Sequence, residues 1–299
     1  DPSQAPQGAK SSTFSYPAGT TRAKVLSSAL GLISSPVITS LLPAALAAEL
    51  AQRGAAPLVC SPEHITPEGL AVDIGFRFER LAPFLRDLGD RGVTQVALAG
   101  AIPRSELDPS LFDRETASLV PAMIAAIKGG DDAALRWIMD LIEDFDLKVV
   151  GLNDLAPGLL VEEGQLSHRA ATAAEIADAA RGRAILEALA PVDVAQGAVV
   201  ATGLCLGVEA IYGTDAMLAN IAQNRPLREP QTGGVFVKRA KDGQDLRADL
   251  PTIGPATIAA VSDAGLSALC LHAGHVVILD KPAVLAAADA ANLALWAEP

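Results

Sequence analysis

Aromatic side chains are scarce in this sequence (4%), and only 19% of its 299 residues are charged. A core must therefore be assembled mostly from Ala, Val, Leu and Ile, and the 50% hydrophobic fraction is enough to exclude disorder over the whole length. Cations are also in short supply. The 23 Lys and Arg against 35 Asp and Glu leave a net charge of −12. Phosphate binding rests on a Lys/Arg surplus, so no nucleic-acid partner is expected, and an anionic bilayer would on average repel the chain. The three cysteines, Cys60, Cys205 and Cys270, are far apart, odd in number and without a CxxC pair. Neither a disulfide framework nor a zinc knuckle is indicated. Each lies in an apolar, strand-like run, so all three are expected to be buried, reduced thiols. Also missing are GxSxG, the P-loop GxxxxGK[ST] and a GxGxxG after the first strand. The last absence removes the dinucleotide-dependent oxidoreductases.

From Val25 to Ala48 there is no charged residue, and Arg22 and Lys24 precede the run. A signal peptide or membrane anchor can look like this. Pro36 and Pro43 interrupt it, however, six Ser and Thr residues dilute it, and Glu49 and Arg53 follow in register. A buried strand, a loop and a helix account for the run equally well, because strands covered on both faces also lack charge. A soluble chain is therefore expected. Residues 1–21 are rich in Ser, Pro, Gly and Thr, and residues 1–24 are expected to form a disordered leader.

Short apolar runs alternate with helical patterns along the rest of the chain, predicting an α/β protein of two α/β domains, the first Rossmann-like. In the first domain, residues 25–153, strands are expected at Leu30–Ile33, Pro57–Cys60, Val93–Ala99 and Leu147–Val150. Helices are expected at Pro43–Arg53, Phe78–Asp90, Thr116–Lys128 and Asp131–Phe145. In the last of these Leu135, Ile138, Met139, Ile142 and Phe145 recur at three- and four-residue spacing. A Gly- and Pro-containing connector, Asn153–Gly164, leads to the second domain, residues 165–299. There a helix is expected at Thr172–Ala190, and strands at Ala198–Thr202, Leu204–Val208, Val235–Lys238, Ala268–Leu271 and Val276–Leu279. Further helices are expected at Asp215–Gln223, Pro255–Asp263 and Pro282–Asn292.

Three clusters in the second domain exceed what a core requires. In the first, Gly197, Gly203 and Gly207 punctuate apolar strands between Gln196 and Glu209, suggesting bulges or close approach of backbone to something. Glu209 is a lone carboxylate at a strand end, either a solvated edge charge or a functional group. In the second, Gly213-Thr214-Asp215 opens a helix. Thr214 or Asp215 is either an N-cap or part of a phosphate site, with Asp215 available to a divalent cation. The third runs from Lys238 through Lys241, Asp245, Arg247 and Asp249 to Thr252 and Gly254. Lys241-Asp242-Gly243 alone would be an ordinary charged turn. Arg247 and Asp249, two residues apart in an expected extended segment, would share a face, pairing a phosphate-binding guanidinium with a carboxylate able to hold Mg²⁺ or orient water. His272 and His275 form an HxxH pair between two expected strands. No Cys or carboxylate lies at ligand spacing, so no zinc site is assigned there.

At these residues the chain resembles the LpxI-type UDP-2,3-diacylglucosamine pyrophosphatases of lipid A biosynthesis. The resemblance is carried by Gln196-Gly197-Ala198-Val199-Val200, Gly207-Val208-Glu209-Ala210, Gly213-Thr214-Asp215-Ala216-Met217-Leu218 and Asp249-Leu250-Pro251-Thr252-Ile253-Gly254. Leu98-Ala99-Gly100 with Arg104, and Lys128-Gly129-Gly130-Asp131 through Arg136, match in the first half. The resemblance implies two domains closing over a substrate, with the active site at their interface. It implies Mg²⁺-dependent hydrolysis (Mn²⁺ as a substitute) of the substrate pyrophosphate, releasing UMP and 2,3-diacylglucosamine 1-phosphate. It places the family's essential aspartate at Asp249, and a cytoplasmic protein at the inner membrane, which it contacts transiently to reach its acylated UDP-sugar. A homodimer is left open.

On this reading Asp249 is the catalytic residue, and Asp215, Asp249 and Glu209 are the metal ligands. Lys238, Lys241 and Arg247 neutralise the pyrophosphate, while Gln196, Gly197, Thr214 and Thr252 contact sugar or phosphate. Three features depart from the family pattern. The stretch Ile33–Pro43 has no Gly where the family has a Gly-rich loop, Tyr212 replaces a Glu, and His272 replaces another. The alternative is a family member that binds the nucleotide-sugar lipid without turning it over.

Overall fold

The computed structural model describes residues 29–34, 42–63, 65–100, 107–241, 243, 245–247 and 250–299. The expected leader, Arg104, His64 and Asp249 lie outside the described residues, as does most of the Gly-less stretch. The chain divides into two compact units, Asp1–Lys128 with Trp137–Val150, and Gly129–Arg136 with Gly151–Pro299.

The first unit is built on β1 (Ala29–Ser34), α1 (Leu42–Gln52), β2 (Leu58–Pro62), β3 (Ile74–Phe76), α2 (Leu81–Asp90), β4 (Val93–Ala99), α3 (Arg114–Lys128), α4 (Asp131–Asp144, of which it takes the part from Trp137 on) and β5 (Lys148–Val149). Its five strands pair in the order β3-β2-β1-β4-β5, all parallel. Parallel strands need crossovers and are covered on both faces, which explains the near-continuous burial along β2 and the second half of β4. Leu81, Phe84, Leu85 and Leu88 form the buried stripe of α2, and Ile138, Met139, Leu141 and Ile142 are buried on α4, at the spacing of one helix face.

The second unit comprises α5 (Leu152–Leu155), β6 (Gly164–Gln165), α6 (Ala173–Leu189), β7 (Gly197–Ala201), β8 (Leu204–Val208), α7 (Gly213–Asn224), β9 (Val235–Lys238), β10 (Thr252–Ile253), α8 (Pro255–Asp263), β11 (Ala268–His272), β12 (Val277–Ile278), α9 (Lys281–Ala290) and β13 (Ala294–Glu298). Six strands pair in the order β6-β13-β11-β9-β7-β8, and β10 pairs with β12. The centre, β13-β11-β9, is parallel, while β6, β7 and β8 join antiparallel.

Two-residue alternation sorts the side chains of this sheet between two cores. Phe236, Leu269, Leu271 and Leu295 pack with Leu218, Ile258, Val261 and Val284 of α7, α8 and α9. Val235, Val237, Ala268, Cys270 and Ala294 face α6 through Ala179 and Leu186. That side is lined by small residues because α6 lies close. A Cβ on Gly182 would stand 2.6 Å from Val237 Cγ2.

The described strands and helices fall close to most of the expected positions. Val93–Ala99, Leu204–Val208, Val235–Lys238 and Pro255–Asp263 coincide with observed elements. Four strands are additions. β3, β6 and β10 are too short to carry a period, and β13 follows directly on α9, whose helical pattern masks it. The expectation for one cysteine is overturned. Cys205 is exposed, while Cys60 and Cys270 are buried, because β8 is the edge of its sheet and has a neighbour on one side only. Among the described residues no helix is long and apolar enough to cross a membrane.

Candidate functional site

The C-terminal residue of β9, the turn after β8 and the first turn of α7 converge on one buried polar cluster. Lys238 is 4% exposed. Its Nζ donates to Glu209 Oε2 at 2.7 Å and to Thr214 Oγ1 at 2.7 Å. The Thr214 hydroxyl in turn donates to Glu209 Oε1 at 2.9 Å. Each group thus satisfies another, and both carboxylate oxygens of Glu209 are engaged. A buried ammonium is tolerated only when paired and hydrogen-bonded in this way.

Gly197 makes the cluster sterically feasible. A Cβ there would lie 2.7 Å from Glu209 Oε2 and 2.8 Å from Phe236 Cε2, and the Gly197 carbonyl accepts from the Glu209 N–H at 2.8 Å. Gly197 thus allows close approach of its own chain, and the β7–β8 pairing also shifts register between Val199 and Val200. Gln196 holds β9's continuation, its carbonyl accepting from the Arg239 N–H at 2.8 Å.

Thr214 does not cap α7. The capping position is Tyr212, with no side-chain cap bond, and the turn into the helix is made by Gly213 at φ +81°, a conformation that favours glycine. Asp215 is exposed in the first turn, where a negative charge complements the helix dipole.

The other expected cations are also ion-paired. Lys241 Nζ lies 2.5 Å from Asp193 Oδ1. Arg247 grips Asp245 through Nε, at 3.0 and 3.1 Å from the two carboxylate oxygens, and through Nη2 at 2.7 Å. The Arg247 N–H also bonds Asp245 Oδ1 at 3.0 Å, so residues 245–247 form a side-chain-closed turn. This replaces the extended segment expected for Arg247. The Arg247 hydrogen bonds hold the Asp245 carboxyl below its usual range, against the effect of partial burial. Thr252, on β10, donates to the Leu250 carbonyl at 3.1 Å.

The rings of His272 and His275 stack with centroids 4.0 Å apart at 17°, and His275 Nδ1 lies 2.8 Å from the Ala273 carbonyl. Among the described residues no group of three or more His, Cys, Asp and Glu could hold a metal ion. Mg²⁺, however, is commonly held by one or two carboxylates plus phosphate oxygens of the substrate. Asp215, exposed beside the cluster, suits that mode, whereas Glu209 is engaged by Lys238 and Thr214.

Two family models match the chain in succession, the LpxI N-terminal domain over residues 41–159 and the LpxI C-terminal domain over residues 162–296. The chain belongs to the LpxI family. The UDP-2,3-diacylglucosamine pyrophosphatase LpxI of Caulobacter vibrioides is 34% identical over 201 residues, covering 66% of this chain and 72% of that protein. The Lys238–Glu209–Thr214 cluster lies wholly inside the matched C-terminal domain. Sequence reasoning named all three of its members but not their mutual bonding, which depends on sheet order. It gave no role to Asp245, Asp193 or Gly151. For Asp245 a signal existed in the Asp-Leu-Arg spacing, which suits a carboxylate closing a turn on the second residue after it.

Proposed function

We propose that this LpxI-family chain hydrolyses the pyrophosphate of UDP-2,3-diacylglucosamine to UMP and 2,3-diacylglucosamine 1-phosphate, in a Mg²⁺-dependent reaction that Mn²⁺ also supports. The observation that carries the reading is the succession of both family domains along residues 41–296, with 34% identity to a protein named for this activity. The all-parallel sheet of the first unit, with its order running outward from β1 in both directions, supports the Rossmann-like reading of that domain.

In this proposal Asp249 acts on the attacking water, and Asp249 with Asp215 would hold the metal ion. Mg²⁺, when bound, lowers the charge on the phosphate oxygens that would otherwise repel the nucleophile. Arg247 offers a planar guanidinium to phosphate, and Lys241 lies on the same connecting segment. The main part of Lys238 and Glu209 is to fix Thr214 and the start of α7. Gln196, Gly197 and Thr252 remain proposed substrate contacts. A cytoplasmic protein making transient contact with the inner membrane fits a doubly acylated substrate.

Incubating the purified chain with UDP-2,3-diacylglucosamine and Mg²⁺ tests the reading directly through UMP release. EDTA should abolish release, and Mg²⁺ or Mn²⁺ should restore it; full activity in EDTA would remove the metal role. The second reading, binding without turnover, is favoured by Tyr212 and His272 standing where the family pattern has Glu. It predicts retained substrate and no UMP.

A further inference from the structure

Helix α3 carries more apolar surface than the first unit covers. From Thr116 to Ile127 it has no charged residue, yet Thr116 is its one buried member. Thr116 sits against α2, its hydroxyl accepting from the Ala82 N–H at 3.0 Å. At about 100° per residue, Met123 and Ile127 fall within roughly 20° of Thr116 around the helix, and Leu119, Val120 and Ile124 within roughly 80°. These five form one stripe. It is closed off at the first turn and left open beyond, for Ile124 is 46% and Ile127 51% exposed, and Leu119, Val120 and Met123 are half-buried.

The opposite face is small and wet. It presents Ser118, Pro121 and Ala125, all exposed. Pro121 lies inside the helix and has no N–H, so the Ala117 carbonyl one turn earlier loses its helical partner. A helix buried on every side would leave that oxygen unsatisfied, whereas on an exposed residue water takes the place of the missing donor. Charge frames the stripe. Arg114 and Lys128, both exposed, close its two ends. The acids at its start are already engaged: Asp113 accepts from the N–H groups of Glu115 and Thr116 and from the Thr116 hydroxyl, and Glu115 lies 2.6 Å from Arg86. The next acids, Asp131 and Asp132, come after the Gly129-Gly130 break.

We propose that α3 is the element through which the chain lies on an anionic bilayer, its stripe at the boundary of headgroups and acyl chains and Arg114 and Lys128 at the lipid phosphates. The inference rests on the proposed hydrolysis, whose substrate carries two acyl chains, and deepens it by naming the surface that meets the lipid. Length fixes the mode of contact. The 15 residues of α3 span about 22 Å, and crossing a bilayer takes about 20 apolar residues. The helix therefore lies in the interface plane with its small, polar face toward water. The net charge of −12 does not forbid this. At physiological salt, charges act over about 8 Å, so the lipid phosphates feel the cations at the ends of α3 rather than the average of the chain. A short stripe and two cations give a reversible contact, since each basic residue at the surface contributes about fivefold.

The test sediments the full chain with sucrose-loaded vesicles of phosphatidylglycerol mixed with phosphatidylcholine, and with vesicles of phosphatidylcholine alone. UMP release is measured in parallel on a water-soluble, short-chain UDP-diacylglucosamine and on UDP-2,3-diacylglucosamine carried in the mixed vesicles. The parent should sediment with the mixed vesicles. Ile124→Glu combined with Ile127→Glu should lower that partition by about tenfold or more. Lys128→Gln should lower it about fivefold, with little change on phosphatidylcholine alone. On the soluble substrate the double variant should turn over as the parent does, and on the vesicle-borne substrate about tenfold more slowly. Val192→Glu, at a residue of the second unit that is 66% exposed, should sediment as the parent does. Melting temperature reports whether each variant folds, and Lys128→Gln at an exposed position keeps the test decisive should the double variant fold poorly.

The proposal is overturned if the folded double variant sediments with the mixed vesicles as the parent does, or if Val192→Glu loses as much. Unchanged sedimentation with turnover lost on the soluble substrate would make the stripe a seat for the acyl chains of a single substrate molecule. Unchanged sedimentation with loss of a parental dimer would make it a contact between two copies. Either result removes the bilayer from α3. The two readings fail separately. UMP release by a parent that does not sediment removes the bilayer contact and leaves the hydrolysis. Sedimentation that is lost in the double variant, without UMP release by the parent, removes the hydrolysis and leaves the contact.

Discussion

Lys238 Nζ and Glu209 Oε2 lie 2.7 Å apart in the interior of the second unit, with side-chain exposures of 5% and 14%. The two residues belong to neighbouring parts of one sheet separated by β7, and Thr214 closes the ring between them. A charge pair this far from water is costly to form and still more costly to break, since the survivor stays buried without a counter-ion.

Stability measurements should reveal this asymmetry. Lys238→Met and Glu209→Leu are each expected to lower unfolding free energy by about 3–5 kcal/mol, whereas the double variant should recover much of the loss. Urea unfolding of the three variants gives the coupling directly. Losses that simply add would show that the pair is not coupled, and would return Lys238 to the role of a pyrophosphate-neutralising cation.

Glu175 gives the second unit a defined acid sensitivity. Burial alone would raise its carboxyl pKa, but bonds from Arg169, Ser267 and Thr172 outweigh that and hold it at about 2, against an ordinary 4.5. Arg169 reaches both oxygens, at 2.7 and 3.1 Å, and the Ser267 hydroxyl stands at 2.6 Å. The folded value lies below the unfolded one, so the stabilisation is complete above pH 4.5 and is lost as pH falls from there toward 2. At about 1.4 kcal/mol per pKa unit it amounts to roughly 3 kcal/mol. Glu175→Gln should therefore be less stable than the parent at pH 7, with the gap closing between pH 4.5 and 2. A gap independent of pH would disprove the linkage.

How far the sequence could be read depended on the range of the interaction concerned. Period and punctuation are local, so α4, β4, β9 and α8 could be placed from their own residues. Pairing order is not local. That Lys238 and Glu209 would meet across β7 follows from β7 lying between β8 and β9, and no spacing along the chain encodes it. The same holds for Gly151, where a Cβ would crowd the backbone of Arg247, almost a hundred residues later. Thr214 was legible as a polar residue at a helix start, but its role was not. A cap is a bond within four residues, whereas Thr214 accepts from Lys238 Nζ and donates to Glu209 Oε1. Cys205 was misread for a similar reason. Its apolar run marks a strand, yet the run does not say whether that strand is central or at the edge.

The thiols offer a direct check of that correction. Burial pushes the Cys60 thiol up to about 12 and raises that of Cys270 further, so at pH 8 neither presents an appreciable thiolate. Thiolate is the reactive form, and Cys205 is the exposed member of the three. A disulfide-exchange reagent at pH 8 should therefore titrate one thiol per native chain and three in denaturant, and Cys205→Ser should abolish the native reaction. Three rapidly reacting thiols in the native chain would contradict the burial of Cys60 and Cys270.

Asp249 provides the sharpest separation of binding from chemistry, argued from sequence and from the proposed reaction. It follows Arg247 by two positions and precedes the Pro251-Thr252-Ile253-Gly254 entry to α8. If Arg247 and Lys241 supply binding and Asp249 acts on the attacking water or the metal ion, Asp249→Ala should abolish UMP release while leaving a folded protein that retains its substrate. Removing a negative charge beside a polyanion should leave ground-state affinity unchanged or higher. A merely local structural part, such as steadying the entry to α8, predicts the opposite pattern, a loss of about 1 kcal/mol of stability with little change in kcat. Measuring kcat, substrate affinity and melting temperature on the same preparation distinguishes the two. A lowered melting temperature with near-parental kcat would remove Asp249 from the chemistry, whereas a folded, substrate-laden and inactive variant would fix it there.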